Sequence, residues 1–372
     1  MKKILIALCA VATLASCTKN EVLSYDQEAI GFDNAFVDNA TRSVIDPSYT
    51  NSRLFPDFQV YGYVEGAPLF NTDNSGVTVA GSGINGEWTY TGTQYWIAGA
   101  HYNFSAVAPV TNGNWTKTAA NTGATTLSFT NDGDTDLLYA QNDTYTANTN
   151  GTPNGKVGFT FRHVLSKVKF SFVNAYEATN SSIRVKDIKI LNPYKTGNVV
   201  LKATTDATPT KWSNQAVDAN FVLDFGNAAL TETDNDATID DNDGGYAFTV
   251  NNTVESYNEL FMIPGATTNT LTNADGSITY NYIVEFTVEL LVNSQEITQY
   301  THTIYTTFAP EPGKAYDLVA TIDATNIDPT TSQEAIEFTV TTITDWDNDH
   351  DGKEGTDGTD NNGDDQVDTP IQ

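Results

Sequence analysis

Short runs of alternating apolar and polar residues recur along most of the chain. Thr, Tyr, Phe, Val and Ile supply these runs, and Asn, Gly, Asp and Pro separate them. Successive side chains of a β-strand point to opposite faces of a sheet, so this period of two predicts strands, whereas helical periodicity is almost absent. The clearest predicted strands are Phe58–Val64, Tyr102–Val110, Lys167–Val173, Tyr280–Val292 and Ile336–Ile343. The pattern therefore predicts an all-β protein.

The length of the chain predicts two β-sandwich domains in tandem. Without an N-terminal leader about 350 residues remain, which is too many for one sandwich core. Residues 142–155, "NDTYTANTNGTPNG", are rich in Asn, Thr, Gly and Pro, and we place the domain boundary there. A second polar stretch, residues 231–245, is predicted to be a surface loop. We expect domains at residues 43–155 and 156–346, followed by an acidic tail at residues 347–372.

The first seventeen residues have the pattern of a secretory leader. Lys2 and Lys3 precede an apolar run from Ile4 to Leu14 that is too short to anchor the mature chain across a bilayer. The sequence Leu-Ala-Ser-Cys at residues 14–17 resembles the lipobox of bacterial lipoproteins. This resemblance implies a signal peptide at residues 1–16 and a covalent lipid on Cys17. The alternative is an ordinary signal peptide that leaves Cys17 as a free thiol.

The predicted membrane attachment is an anchor and not a spanning segment. No later segment approaches eighteen consecutive apolar residues, whereas two or three acyl chains are sufficient for stable anchoring. Thr18 is not the Asp that retains lipoproteins in the inner membrane, so the outer membrane is favoured. The following residues, "TKNE", resemble the charged tags that direct lipoproteins of Bacteroides-type bacteria to the cell surface.

The charge of the chain excludes one class of partner. It has 47 acidic and 18 basic residues and a formal net charge of -29. Affinity for nucleic acid comes mostly from Lys and Arg that neutralise phosphates, so no nucleic-acid binding is expected. The acidity is typical of a well-solvated extracellular protein.

Catalysis is not predicted. The sequence contains no catalytic or nucleotide-binding motif, so no catalytic residue is assigned. His163 is interpreted as structural, and His101 and His302 have no carboxylate or second His at ligand spacing.

We interpret four tryptophans, Trp88, Trp96, Trp212 and Trp346, as packing residues, because strand aromatics usually lie in the core. Trp115, in "TNGNWTK", is predicted to be the most exposed tryptophan.

The acidic tail contains a candidate cation site. Asp347, Asp349 and Asp351 alternate ahead of Gly352, which is the D-x-D-x-D-G opening of calcium loops. Gly358 replaces the Glu that an EF-hand requires, whereas "DGTDNNGDD" resembles aspartate-rich thrombospondin type 3 repeats. The predicted site is weak and takes Ca²⁺; the alternative is a disordered, solubilising tail. The predicted ligands are Asp347, Asp349, Asp351, Asp357, Asp360 and Asp364.

Several blocks resemble one family. Ile30 and Phe32 lie ahead of "TRS", and "FQVYGY", "WTYTGTQYW" and "YNFSAVAP" follow; the second half has "DLLYA", "FRHVLSKVKF", "PGKAYDLVATI" and "IEFTVTTITDW". In this order they resemble the fimbrillin-like proteins of Bacteroides, relatives of FimA and Mfa, over roughly residues 1–346. The resemblance implies two transthyretin-like β-sandwich domains and a subunit of a type V pilus. In that family a trypsin-like protease cuts after an Arg, the first strand is lost, and a strand of a neighbouring subunit fills the groove.

The family scheme suggests a cleavage position. Between Cys17 and Phe58 the basic residues are Lys19, Arg42 and Arg53. Arg42 follows the apolar segment 30–37 in a polar context that a protease can reach, so cleavage between Arg42 and Ser43 is predicted and Arg53 is the second choice. Residues 17–42 would then be the anchor segment and the removable strand. The alternative is that Arg42 is a solvated turn residue.

The tail also bears on the role of the chain. A donor strand must alternate apolar side chains, and nothing after Trp346 does so. Either residues 336–343 act as the donor, or the chain accepts a strand and gives none, as an accessory or tip subunit would. We favour the second interpretation.

The predicted partners are other fimbrial subunits, the outer membrane, and a glycan or protein on a host or bacterial surface. A non-polymerising, glycan-binding surface lipoprotein is the main alternative, and a glycosidase is a distant third.

Overall fold

The structure is a computed structural model that describes most of the chain between residues 28 and 343. The described ranges are 28–37, 57–71, 75–81, 88–110, 113–121, 124–149, 153–178, 180–202, 211–226, 246–248, 253–254, 259–273, 276–331 and 336–343. These residues form strands, turns and irregular segments and contain no helix. The prediction of an all-β protein is therefore confirmed.

The strands are numbered in chain order through the described residues. The first twelve are β1 (Gly31–Val37), β2 (Asp57–Val64), β3 (Ala67–Pro68), β4 (Val77–Gly81), β5 (Trp88–Thr89), β6 (His101–Ala108), β7 (Trp115–Asn121), β8 (Ala124–Thr130), β9 (Leu138–Thr146), β10 (Lys156–His163), β11 (Ser166–Asn174) and β12 (Ser181–Ile190). The others are β13 (Tyr194–Lys202), β14 (Lys211–Val217), β15 (Leu223–Asp224), β16 (Tyr246–Phe248), β17 (Thr253–Val254), β18 (Leu260–Met262), β19 (Asn269–Asn273), β20 (Gly276–Tyr280), β21 (Tyr282–Val292), β22 (Gln295–Thr306), β23 (Ala315–Ile322) and β24 (Phe338–Ile343).

The first ten strands include a closed ring. Neighbouring strands pair in the order β2–β4–β5–β1–β10–β9–β6, and β6 pairs with β2 to complete the ring. Inward-pointing side chains such as Phe58, Val60, Phe104 and Ala106 form an apolar cluster, which we call the ring core. Alternation along a strand predicts which side chains face a core but not which strand edges meet. The prediction of a β-sandwich therefore did not include the closed ring that the structure shows.

A four-stranded sheet packs on the outer face of the ring. Its strand order is β14–β13–β8–β7. Tyr61 and Val107 of the ring share a second apolar cluster with Leu127, Phe129 and Trp212 of the sheet. Strands β2 and β6 therefore have apolar residues on both faces. Most consecutive side chains along these two strands are buried, instead of every second one.

The later strands form a sandwich of two sheets. One sheet has the order β17–β11–β23–β24 with β18 beside β11, and the other has the order β15–β12–β21–β22 with β16 beside β12. Their facing side chains form a third cluster, which includes Phe170, Phe172, Val185, Phe286 and Leu318. Strands β19 and β20 form a separate hairpin.

Strand pairs cross the predicted domain boundary at residue 155. β10 pairs with β1 and β9 of the ring, and β13 pairs with β8 from Thr196–Thr130 to Lys202–Ala124. Strand β9 also extends to Thr146, into the stretch 142–155 where the domain boundary was predicted. Tyr145 stacks there on Trp96 with ring centroids 4.8 Å apart, so this polar segment still contributes to packing. A boundary at residue 155 would separate β1 and β9 from β10, and β8 from β13, although β9 would keep β6 and β8 would keep β7.

No part of the described chain forms a helix with the length and apolarity that a membrane span requires.

Candidate functional site

Strand β1 occupies one position in the ring, between β5 and β10. It runs parallel to β10, from Gly31–Lys156 to Val37–Phe161, with an irregularity between Asp33 and Ala35. Its contact with β5 is antiparallel and is the single register pair Phe32–Trp88. β1 is thus held by a long ladder on one side and a short one on the other. We call the position that it fills the β1 groove.

Two side chains of the N-terminal segment reach the ring core. Ile30 and Phe32 are fully buried, and their spacing of two residues places both side chains on the same face of the segment. The Phe32 ring lies 5.4 Å from Tyr90, 5.9 Å from Phe159, 6.1 Å from Phe104 and 6.2 Å from Phe70, measured between ring centroids. The edge-to-face and offset geometries are those that aromatic pairs prefer. The groove is therefore an aromatic pocket that one Phe fills.

The loop after β5 holds the backbone at the beginning of β1. The Tyr90 hydroxyl donates to the carbonyl of Ile30 at 2.8 Å, and the amide of Ile30 donates to the carbonyl of Gln94 at 2.8 Å. The amide of Trp96 donates to the carbonyl of Glu28 at 3.0 Å. Burial is the main cause that raises the pKa of Tyr90, so its hydroxyl stays protonated and remains a donor.

Glu28 connects the N-terminal segment to the turn before β10. Its carboxylate accepts hydrogen bonds from the amide of Asn154 at 2.6 Å, the side-chain amide of Asn154 at 3.0 Å and the amide of Gly155 at 3.0 Å. The amide of Asn154 is the main cause that lowers the pKa of Glu28. Gly155 has a φ of +76°, a conformation that L residues with side chains rarely adopt. The ionised carboxylate therefore holds β1 and β10 together at one end.

The predicted modification and processing residues lie outside the described residues. These are Cys17, Arg42, Ser43, Arg53 and the six tail aspartates, and His350 and Trp346 are outside as well. The lipid, the cleavage position and the calcium site therefore stay predictions. In the described part of the chain, no group of three or more His, Cys, Asp and Glu side chains has an arrangement that could hold a metal ion.

The described histidines have structural contacts. His163 Nδ1 lies 2.7 Å from a carboxylate oxygen of Asp136, and His302 Nε2 lies 3.0 Å from the carbonyl oxygen of Ile327. His101 is exposed, and its Nδ1 lies 3.0 Å from the hydroxyl of Thr146. His163 was interpreted as structural, and its contact with the Asp136 carboxylate agrees with that interpretation.

The prediction that Trp115 is exposed is wrong. Trp115 begins β7, is 2% exposed, and its indole donates to the carbonyl of Pro109 at 2.9 Å. The Asn and Gly residues before it suggested a loop, but the strand starts immediately after them. Trp96 and Trp212 are buried, and Trp88 packs on the ring core, as the packing interpretation expected.

Sequence reasoning found the strand but not its groove. The groove partners Phe70, Tyr90, Phe104 and Phe159 come from four separate segments, and no sequence spacing links them to Phe32. The sequence predicted Asn154 and Gly155 only as part of the polar domain boundary. Its one available signal was the Asn-Gly dipeptide, which marks a turn without identifying a carboxylate partner.

The fold and the groove define a class of protein: an all-β chain whose first described strand completes a ring of strands. A family model described as fimbrillin-like matches residues 55–346. The chain therefore belongs to the fimbrillin-like family. No curated protein sequence matches it significantly.

Several solved structures are similar to this chain at low sequence identity. A fimbrial protein from Bacteroides vulgatus is 16% identical, with 84% of this chain and 98% of that chain covered and a TM-score of 0.46. A candidate cell adhesion protein from Bacteroides eggerthii is 15% identical, with 85% and 92% covered and a TM-score of 0.39. The fimbrial anchor protein Mfa2 from Porphyromonas gingivalis is 10% identical, with 77% and 88% covered and a TM-score of 0.28.

Proposed function

We propose that the chain is a fimbrial subunit that accepts a strand from a neighbouring subunit in the β1 groove. In this proposal it is exported as a lipoprotein on Cys17 to the outer membrane and cell surface. Cleavage after Arg42 then removes the anchor together with β1. Family membership supports the fimbrial role, and the lipobox and the position of Arg42 support the export and processing steps.

The burial and strand pairing of the β1 segment are the main support for this proposal. β1 is a short segment ahead of Arg42 that reaches the ring core through Ile30 and Phe32 and pairs with strands far along the chain. Removing it would expose the aromatic pocket and one edge each of β5 and β10. Strand addition uses such a combination, because backbone groups supply affinity and pockets for alternate side chains supply register.

The contacts of β24 support an accepting role. β24 pairs with β23 from Phe338–Ala320 to Ile343–Ala315. Phe338 lies 5.4 Å from Phe170 and 6.0 Å from Phe286, between ring centroids. Donating this segment to another subunit would remove Phe338 from the chain's own sandwich. We therefore favour the accessory or tip role, in which the chain receives a strand and gives none.

The N-terminus of the mature protein tests the processing step. Intact mass and N-terminal sequence would be measured on protein from the sheared and the membrane-bound cell fractions. A sheared form that begins at Ser43 is the expected result. Acylated Cys17 as the N-terminus in every fraction would overturn the processing step, and an anchor subunit or a glycan-binding lipoprotein would then be favoured.

Peptide binding tests the groove separately from processing. Chain cut after Arg42 would be mixed with a peptide of residues 28–37, with the same peptide carrying Phe32→Asp, and with a peptide of residues 336–343. We expect the first peptide to bind and to raise the melting temperature, and the second not to bind. Weak binding of the third would agree with a chain that does not donate β24. Equal binding of the first two would contradict a groove that selects for the Phe32 side chain.

We also propose weak Ca²⁺ binding by the tail, from the alternation of Asp347, Asp349 and Asp351 ahead of Gly352. Calorimetric titration of a peptide of residues 345–368 with Ca²⁺ should give a binding heat, and Mg²⁺ is the control ion. Absence of heat with Ca²⁺ would leave the tail as a solubilising segment.

A further inference from the structure

Strand β22 is an edge strand of unusual length. It spans Gln295–Thr306 at one end of its sheet, where its inner edge pairs with β21 over its length. No described strand pairs with its outer edge. Side chains at odd positions from 297 to 305 are exposed on the outer face, while Tyr300, His302 and Ile304 pack towards the sandwich core.

From Thr298 onwards, the outer edge of β22 lacks the features that normally prevent edge-to-edge pairing. Residues 297–306, "ITQYTHTIYT", contain no Pro and no Asp, Glu, Lys or Arg. Burial lowers the pKa of His302, which leaves its imidazole neutral at pH 7. The one irregularity of the ladder lies between Leu290 and Leu291, opposite Ile297, at the beginning of this stretch. The rest of the edge is regular.

Because the molecule is strongly acidic, the uncharged edge of β22 is a favourable surface for contact with a second copy. Two copies that each have a net charge of -29 repel each other in most relative orientations. A neutral strip is a surface where two copies approach without placing carboxylates opposite each other. The edge strand of the other sheet, β24, is half as long, with six residues, and follows Glu337 directly.

The sequence of β22 is complementary to itself in one antiparallel register. With Thr301 opposite Thr301 of the second copy, Ile297 faces Tyr305 twice and Gln299 faces Thr303 twice. Ile297 and Tyr305 are 61% and 38% exposed and are the large apolar residues of the outer face of β22. Directly opposite side chains in antiparallel strands stabilise the pair when they are aromatic and β-branched.

We propose that β22 pairs with β22 of a second copy of this chain, antiparallel and centred on Thr301. The two sheets then continue through the interface, and the same patch serves both copies, as a two-fold axis requires. This interface lies in the sandwich and not in the ring, so it does not depend on strand exchange at β1.

Sedimentation velocity over a concentration series tests the association. Full-length chain with Cys9→Ser and Cys17→Ser avoids lipidation and stray disulfides. We expect a monomer–dimer equilibrium that Thr301→Glu weakens at least about tenfold, because two carboxylates would face each other at about 5 Å. Thr339→Glu, at an exposed position of β24, is the matched control and should leave the equilibrium unchanged. A monomer at all concentrations, or equal effects of the two variants, would overturn the proposal.

Disulfide trapping tests the register. In the same background Thr301→Cys places two thiols directly opposite each other, whereas Thr303→Cys places them four residues apart along the strands, about 13 Å. We expect a covalent dimer under mild oxidation with Thr301→Cys and not with Thr303→Cys. Faster trapping with Thr303→Cys would overturn the register centred on Thr301.

Discussion

Phe32 is a single residue on which the attachment of β1 depends. It is fully buried and contacts four aromatic rings that come from different segments. We expect Phe32→Ala to lower the free energy of unfolding by about 3–5 kcal/mol, as for other buried Phe side chains. Urea unfolding at equilibrium would measure this. Tyr95→Ala is the control, since Tyr95 is 46% exposed and its loss should cost about 0.5 kcal/mol or less. Similar losses in both variants would contradict the packing assigned to Phe32.

Glu289 is a fully buried carboxylate on the outer face of β21. It contacts Lys186 Nζ, and Arg184 Nε donates to it at 2.6 Å. Burial raises the pKa of Glu289, but the hydrogen bonds from Lys186 and Arg184 outweigh burial, and its pKa lies below the usual 4.5. Because the folded-state pKa is lowered, its contribution to stability is complete above about pH 4.5 and is lost as the pH falls through the folded value.

This linkage predicts a difference between the wild type and Glu289→Gln. The variant should be less stable at pH 7, because two cations lose their anionic partner. Its melting temperature should fall less than that of the wild type between about pH 6 and about pH 3, since one group that takes up a proton on unfolding has been removed. Calorimetry at a series of pH values would measure both curves. Parallel curves would show that Glu289 is not the group responsible.

Single residues differ in how far the sequence predicted them. The apolar segment 30–37 was enough to predict a strand, which the structure has at Gly31–Val37, because apolar patterning depends on local geometry. Trp115 was predicted to be exposed because Asn and Gly precede it, yet it is buried. Its environment depends on β8, which contacts it only after the chain has turned back. Local composition does not carry that information.

The strand β1 is connected to β10 by the Glu28 carboxylate as well as by the ladder. We expect Glu28→Gln to weaken the hydrogen bonds from Asn154 and Gly155, because a neutral amide oxygen is a poorer acceptor than a carboxylate. Amide hydrogen exchange, read by mass spectrometry, should become faster in residues 31–37 and stay unchanged in β6. Glu177→Gln, at an exposed position, is the control. Unchanged exchange in β1 would mean that the ladder alone holds the strand.

Several of the longer strands could be predicted from the sequence, but their pairing could not. The segments 58–64, 102–110 and 167–173 all contain strands of nearly the predicted bounds. The long segment 280–292 contains the end of β20 and the whole of β21, and the strand break at Asn281 was not predicted. Alternation does not reveal partners, so the closure of β6 on β2 and the pairing of β8 with β13 appear only in three dimensions.

The whole molecule should not separate at residue 155. A fragment of residues 43–155 lacks β1 and β10 for its ring and β13 for its outer sheet. A fragment of residues 156–346 lacks β8 beside β13 and most of the second apolar cluster. We expect neither fragment alone to show a cooperative unfolding transition in urea, and we expect the two mixed in equal amounts to regain part of it. A sigmoidal transition of the first fragment alone would contradict this.

The closure of the ring has a consequence for the direction of any assembly built on it. A vacant β1 position is one strand wide, and its two walls run in opposite senses, since β10 is parallel and β5 antiparallel to β1. An incoming strand that reproduces both ladders of β1 runs in the same direction as β1. The acceptor position of this chain and the donor segment of its neighbour are different surfaces, so the contact between them is heterologous. A chain that accepts a strand and gives none would occupy one end of a fibre of strand-donating subunits, so the two ends of that fibre would be unlike.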